Sequence, residues 1–260
     1  GMTMKLSRRS VLAGTTALTL PHAAWAQEKV VRYGIPMTDI PLTTGQPDRG
    51  ANAYQYTGLT IYDPLIAWEL DVSDRPGKMI PGLATEWAYE NNGNQVRLKL
   101  RPNVPFHKNG GTMTADDVAF TMEDLSSPES IHSNAVDHRN LIEKVETPNA
   151  NEIVFNFKRP DAAWLGNISM QLSGMEIHPR KHMVEKGNPG MQDRAVPGTG
   201  AYQFKEREQS TFVRFERVPY KHWRATRDFP ELELRWAKEA STRMAALLAG
   251  EAHIAQLPED

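Results

Sequence analysis

Between Pro81 and Leu125 the chain reads PGLATEWAYENNGNQVRLKLRPNVPFHKNGGTMTADDVAFTMEDL, which sets a strand, a turn, a buried loop and a capped helix in fixed order. Asn91-Asn92-Gly93 is a turn signal, because Gly93 has no Cβ to oppose a positive φ. Beyond it Val96, Leu98 and Leu100 alternate with Arg97, Lys99 and Arg101, the period of a strand with one buried face. Pro102 and Pro105 end that strand, since neither has an N–H to give to a ladder. Lys108 to Gly111 form a glycine-rich turn. Thr114 is then the expected helix N-cap, with Asp117 making an imperfect capping box, Asp in place of Glu or Gln, and Met113 and Val118 in the staple positions. Asp116 and Asp117 suit the positive end of the helix dipole and are read as a solvated first turn, not a catalytic pair.

The N-terminus suggests where the protein works. Ser7-Arg8-Arg9-Ser10-Val11-Leu12 resembles a twin-arginine export signal, an apolar stretch runs from Val11 to Leu20, and Ala24-Trp25-Ala26 is an A-x-A cleavage site. Residues 1–26 are therefore expected to be removed, leaving Gln27 first, and Gly1 is read as a cloning scar. The apolar stretch is too short to span a bilayer. The chain has no cysteine, which excludes a disulfide framework, a lipid-bearing cysteine, thiol catalysis and cysteine metal sites. A net charge of −2 gives no support to nucleic-acid binding. A periplasmic monomer without cofactor is the expectation.

Farther along, Lys29 to Tyr33 reads as a first strand, and Tyr54 to Trp68 as a helix leading to a short strand with Pro64 at the junction. Ser126 to Asn140 is a polar stretch and Glu152 to Phe157 a strand. Asp161 to Leu172 is a helix, and Ala201–Phe204 with Thr211–Arg217 form a hairpin. Glu231 to Trp236 is a strand, Ser241 caps a helix closed by Gly250, and a strand begins at His253. The class is mixed α/β (α+β).

The segment from Pro81 to Leu125 resembles the family 5 extracellular solute-binding proteins, the peptide/nickel class that serves ABC importers. Pro197-Gly198-Thr199-Gly200-Ala201-Tyr202 is similar to that family's G-T-G-P-Y, with Ala201 in place of proline. Arg217 to Trp223 (RVPYKHW) resembles its R-N-x-x-Y-W without the Asn, and Ala240 to Ile254 its helix ending in G-E-x-D-I, with His253 for the Asp. The resemblance implies a periplasmic-binding-protein-like class II lobe, with lobe I at 27–55 and 178–260, an inserted smaller domain at 56–177, and the second lobe absent. It further implies capture of a small solute, an oligopeptide or similar, between two lobes and delivery to a membrane permease, so this chain would hold part of a site. Three segments are expected to face the cleft: Met37, Thr38 and Asp39; His132 and Asn134; Ser173 and Met175.

A rival chemistry is an exported hydrolase or metal enzyme built on His178 and His182, four residues apart. The glutamate of H-E-x-x-H is missing, and Pro179 favours a helix start over an interior. The histidines are expected at the surface. Trp68, Trp87 and Trp236 are expected in the core, and core or domain-interface packing is also favoured for Trp164 and Trp223. Pro197 to Tyr202 lacks the Lys-Ser/Thr that a phosphate loop needs.

Overall fold

The alternating residues after the Asn91-Asn92-Gly93 turn do form a strand, within a sheet whose inner face carries the larger of two cores. The structure, a computed structural model, describes residues 30–35, 61–69, 77–130, 132, 134–169, 175–185, 197–208, 211–224, 229–236 and 254–255. The expected export signal, most of the helix ahead of Pro64, and the helix capped by Ser241 lie outside them. In chain order the elements are β1 (Val30–Ile35), β2 (Ile66–Trp68), β3 (Met79–Pro81), β4 (Ala84–Glu90), β5 (Gln95–Leu100), α1 (Ala115–Leu125), α2 (Ala135–Leu141), β6 (Ile142–Asn149), β7 (Glu152–Phe157), α3 (Trp164–Asn167), α4 (Arg180–Glu185), β8 (Tyr202–Glu208), β9 (Phe212–Arg217), β10 (Glu231–Trp236) and β11 (Ile254–Ala255).

The first sheet is antiparallel throughout, in the order β4-β5-β7-β6. Val96 pairs with Phe155 and Leu98 with Ile153, so these four buried residues share one face. Asn91, Asn92 and Gly93 all take positive φ, which closes the β4–β5 hairpin. α1 packs on that face with Val118, Met122 and Leu125 buried at helical spacing. Trp164 completes the core against Phe155 and Phe157, ring centroids 4.7 and 5.0 Å away. On the opposite face Arg97 bridges Glu90 and Glu152, half-buried pairs that solvent screening keeps modest in their contribution.

Two expectations change here. The polar stretch before Leu141 contains α2, because Ala135 and Leu141 find burial that the local sequence does not advertise. The helix expected over Asp161–Leu172 shortens to the four residues of α3. Ser169 ends it by returning both its N–H and its hydroxyl to the Gly166 carbonyl.

The second sheet runs β11-β1-β10-β9-β8, with β1 parallel to β10 and β11 and the rest antiparallel. Its core holds Tyr62, Tyr202, Val213, Phe215, Leu232 and Leu234. Glu233 is wholly buried and is met by the Arg214 and Arg235 guanidinium groups, as a buried charge requires. β2 and β3 form a separate two-stranded ribbon near the crossing between the sheets. No helix among the described residues is long and apolar enough to cross a membrane.

Candidate functional site

The two sheets are joined where residues 61–65 run between them. Gly200 N–H donates to the Ile61 carbonyl at 2.7 Å, while Leu83 and Ala84 N–H groups donate to the carbonyls of Pro64 and Leu65 at 2.9 Å each. A Cβ on Gly198 would stand 2.3 Å from the Ile61 carbonyl oxygen, so this close approach demands glycine. The loop ahead of α1 is fastened to the same place. His107 N–H donates to the Gly198 carbonyl at 2.9 Å, its Nε2 meets the Gly200 carbonyl at 2.8 Å, and Gly198 N–H donates to its Nδ1 at 3.2 Å. Those partners require the neutral ring with its proton on Nε2. Burial pushes the His107 pKa down to about 4. The Gly198 and Gly200 amides are thus committed internally, and a chain crossing replaces the phosphate-loop possibility.

Asp63 is the electrostatic centre of this crossing, and its side chain is 0% exposed. It accepts from Thr199 Oγ1 at 2.9 Å, Trp223 Nε1 at 3.1 Å and Arg224 at 2.9 Å, and it meets His222 Nε2 at 2.9 Å. Burial by itself raises the Asp63 pKa, but hydrogen bonding and charge from His222 and Arg224 outweigh it and hold the carboxyl below its ordinary value. Trp223 also packs against the larger core and lies under the Arg101 guanidinium, 4.1 Å from the ring centroid. The arrangement ties residues 61–65, 198–200 and 222–224 into one piece.

Of the residues expected at a cleft, Met37, Thr38, Asp39 and Ser173 lie outside the described residues. His132 and Asn134 come together ahead of α2, with Asn134 N–H donating to His132 Nδ1 at 3.1 Å and the Asn134 amide reaching the Asn167 carbonyl. Met175 is 3% exposed and packs in the larger core. One concavity escaped the sequence reading: a cleft of about 580 Å³ at the β9–β10 end, lined by Glu216, Arg217, Tyr220, Lys221 and Glu231. Its size suits a small ligand, and its one sequence signal is the aromatic and basic run RVPYKHW.

Among the described histidines, five depart from the expected surface position. His107, His132, His138, His178 and His222 are all buried. His178 precedes α4, its ring is 5.7 Å from that of Tyr62, and burial drives its pKa to about 3. His182 lies on α4 and is half-buried, so the pair does not form the helical face a zinc site would use. Among the described residues no group of three His, Cys, Asp or Glu could hold a metal. Asp117 also departs from expectation. It is buried, accepting Thr114 N–H and Arg180 N–H at 2.8 Å each and so tying the starts of α1 and α4 together.

Residues 78–260 match the family model described as bacterial extracellular solute-binding proteins, family 5 Middle. The probable di/tripeptide-binding protein 5 of Pseudomonas aeruginosa (strain UCBPP-PA14) is 25% identical over 84% of this chain and 45% of its own length. The dipeptide-binding protein of Escherichia coli (strain K12) is 23% identical over 99% of this chain and 50% of its own. Among solved structures, MoaA of A. tumefacien R10 in complex with mannopinic acid superposes with a TM-score of 0.75 at 23% identity, covering 87% of this chain and 44% of that one. The Helicobacter pylori periplasmic binding protein DppA in complex with peptide STSA gives 0.69 at 20%, covering 86% and 45%. The chain spans about half the length of the curated relatives it matches.

Proposed function

The chain belongs to the bacterial extracellular solute-binding proteins of family 5, and on that footing we propose that it is the solute-capturing component of an ABC importer, taking a small peptide or similar solute in the periplasm. The observation that carries this is the family match over residues 78–260. The Asp63 crossing supports the reading, because it fastens the two sheets to each other, as one wall of a two-lobe binder requires. Peptides come first among solutes because several of the curated relatives are named as di/tripeptide- or dipeptide-binding proteins. The family is one of binding proteins, not enzymes.

The finer parts of the proposal are these. The precursor is exported by a twin-arginine signal cleaved between Ala26 and Gln27, and the mature protein works as a monomer, without cofactor or nucleic acid, delivering its solute to an inner-membrane permease. Lobe I comprises 27–55 and 178–260 and the inserted domain 56–177, a division that the two separate sheets favour. Met37, Thr38, Asp39, His132, Asn134 and Ser173 border the cleft, with Met175 supporting from the core. A thermal-shift screen against di- and tripeptides, opines, sugars and nickel chelates tests the function. A solute present at a hundred times its Kd stabilises the native state by about 2.7 kcal/mol. A shift confined to peptides supports the proposal, and a shift confined to another class reassigns the solute.

A further inference from the structure

α2 and α3 meet at His138. Its ring is 1% exposed and stands edge-on to Trp164, with centroids 6.1 Å apart. Its Nδ1 accepts the indole Nε1–H at 3.1 Å. An indole nitrogen only donates, so Nδ1 must carry a lone pair and the single ring proton sits on Nε2. Nε2 is itself buried with no hydrogen-bond partner among the described residues. The contact therefore depends on one protonation state of one ring.

We propose that His138 is an acid-sensitive latch, holding α2 against α3 through Trp164 while its ring is neutral and releasing that contact when Nδ1 takes a proton. The proton comes from solvent and occupies the Nδ1 lone pair. Two N–H groups then face each other, and a positive charge appears in a dry site. The titratable groups bearing on His138 are His132, whose ring centroid is 6.3 Å away, and Asp161 in the segment ahead of α3. Burial is the largest influence against the charged ring, His132 adds to it and Asp161 opposes it, leaving His138 at about 4. The closed state thus resists the proton and the opened state accepts it. His132 and Asn134 lie on the same segment, so release would also loosen the proposed cleft edge. That consequence rests on the function proposed above, whereas the latch does not.

Hydrogen exchange of the Trp164 indole N–H, followed by NMR in the full chain from pH 7 to pH 4.5 without solute, tests the latch. The Leu98 amide serves as an internal reference for global opening. After correction for intrinsic exchange, opening at Trp164 should rise about tenfold per pH unit below about 6.5, over the pH range in which it remains more frequent than the global opening read at Leu98. It should be flat in His138→Gln, whose side-chain oxygen can accept the indole N–H but cannot be protonated in this range. A flat profile in the native chain, or an equal rise in the variant, overturns the proposal. Should the variant not fold, the ¹⁵N shifts of the native His138 ring decide. An unprotonated Nδ1 at pH 7 with a midpoint well below 6.5 supports the latch, and a protonated Nδ1 at pH 7 or an ordinary midpoint overturns it.

Discussion

Asp63 and Arg224 are 161 residues apart in the chain, yet a guanidinium nitrogen of Arg224 lies 2.9 Å from the Asp63 carboxylate. Arg224 belongs with Thr199, His222 and Trp223 around the same carboxylate. A rigid lobe needs its two sheets to move together, and this carboxylate supplies the shared acceptor.

Asp63→Asn should destabilise the protein by about 3 kcal/mol, because the buried partners lose the charge they converge on. Arg224→Ala should cost about 1 kcal/mol, since its side chain is 29% exposed and partly screened. The sign with pH follows from the lowered Asp63 pKa. Its contribution is complete above the unfolded value near 3.8 and is lost as pH falls through the lower folded value. Urea midpoints of the two variants give the comparison, and equal effects would contradict the ranking.

Acid should weaken the fold well before Asp63 titrates. His107 and His138 have folded pKa values of about 4 and His178 of about 3, all below the ordinary histidine value of 6.5. A histidine held neutral by folding contributes stability that is full above about 6.5 and is lost toward the folded value at roughly 1.4 kcal/mol per pH unit. Urea titrations from pH 7 to pH 5 should show a steady fall. His107→Gln should reduce that slope by about one histidine's share, and an unaltered slope would remove His107 from the account.

Asp117→Ala should cost more than Thr114→Ala. The carboxylate serves the first turns of both α1 and α4, so its loss leaves two N–H groups without an acceptor, at about 1–3 kcal/mol. Loss of the Thr114 cap costs about 0.5–2 kcal/mol. Denaturation midpoints in the reverse order would mean that α4 finds its N-terminal acceptor elsewhere.

Two glycines should respond in opposite ways. Gly198→Ala places a Cβ 2.3 Å from the Ile61 carbonyl oxygen and must push the crossing apart, at about 1–3 kcal/mol or more. Gly166→Ala meets nothing within 4 Å and sits in α3, where alanine is the better helix former by about 1 kcal/mol. Thermal melts of the pair isolate steric crowding from backbone propensity.

Elements whose causes are local were legible in the sequence. Val96, Leu98 and Leu100 declared β5 by alternation, and the limits of β7 and β10 follow from runs that the structure keeps residue for residue. The start of α1 after Thr114 was equally plain. What escaped was set by partners far along the chain. Asp63 looks like any aspartate before a proline until Thr199, His222, Trp223 and Arg224 arrive from 136 to 161 residues away. Asp117 reads as a surface cap because Arg180 is 63 residues distant. Five histidines look polar in the sequence, and only the packing around each reveals that folding holds it away from water.

Isothermal titration of di- and tripeptides into the purified protein, in the longest form its gene encodes, tests the central claim most directly. The account predicts saturable one-to-one binding, with a Kd near 1 μM corresponding to about −8.2 kcal/mol, that an opine, a sugar or a nickel chelate does not reproduce. A folded protein that gives no saturable heat with any peptide, or that binds one of those other solutes in preference, would contradict it.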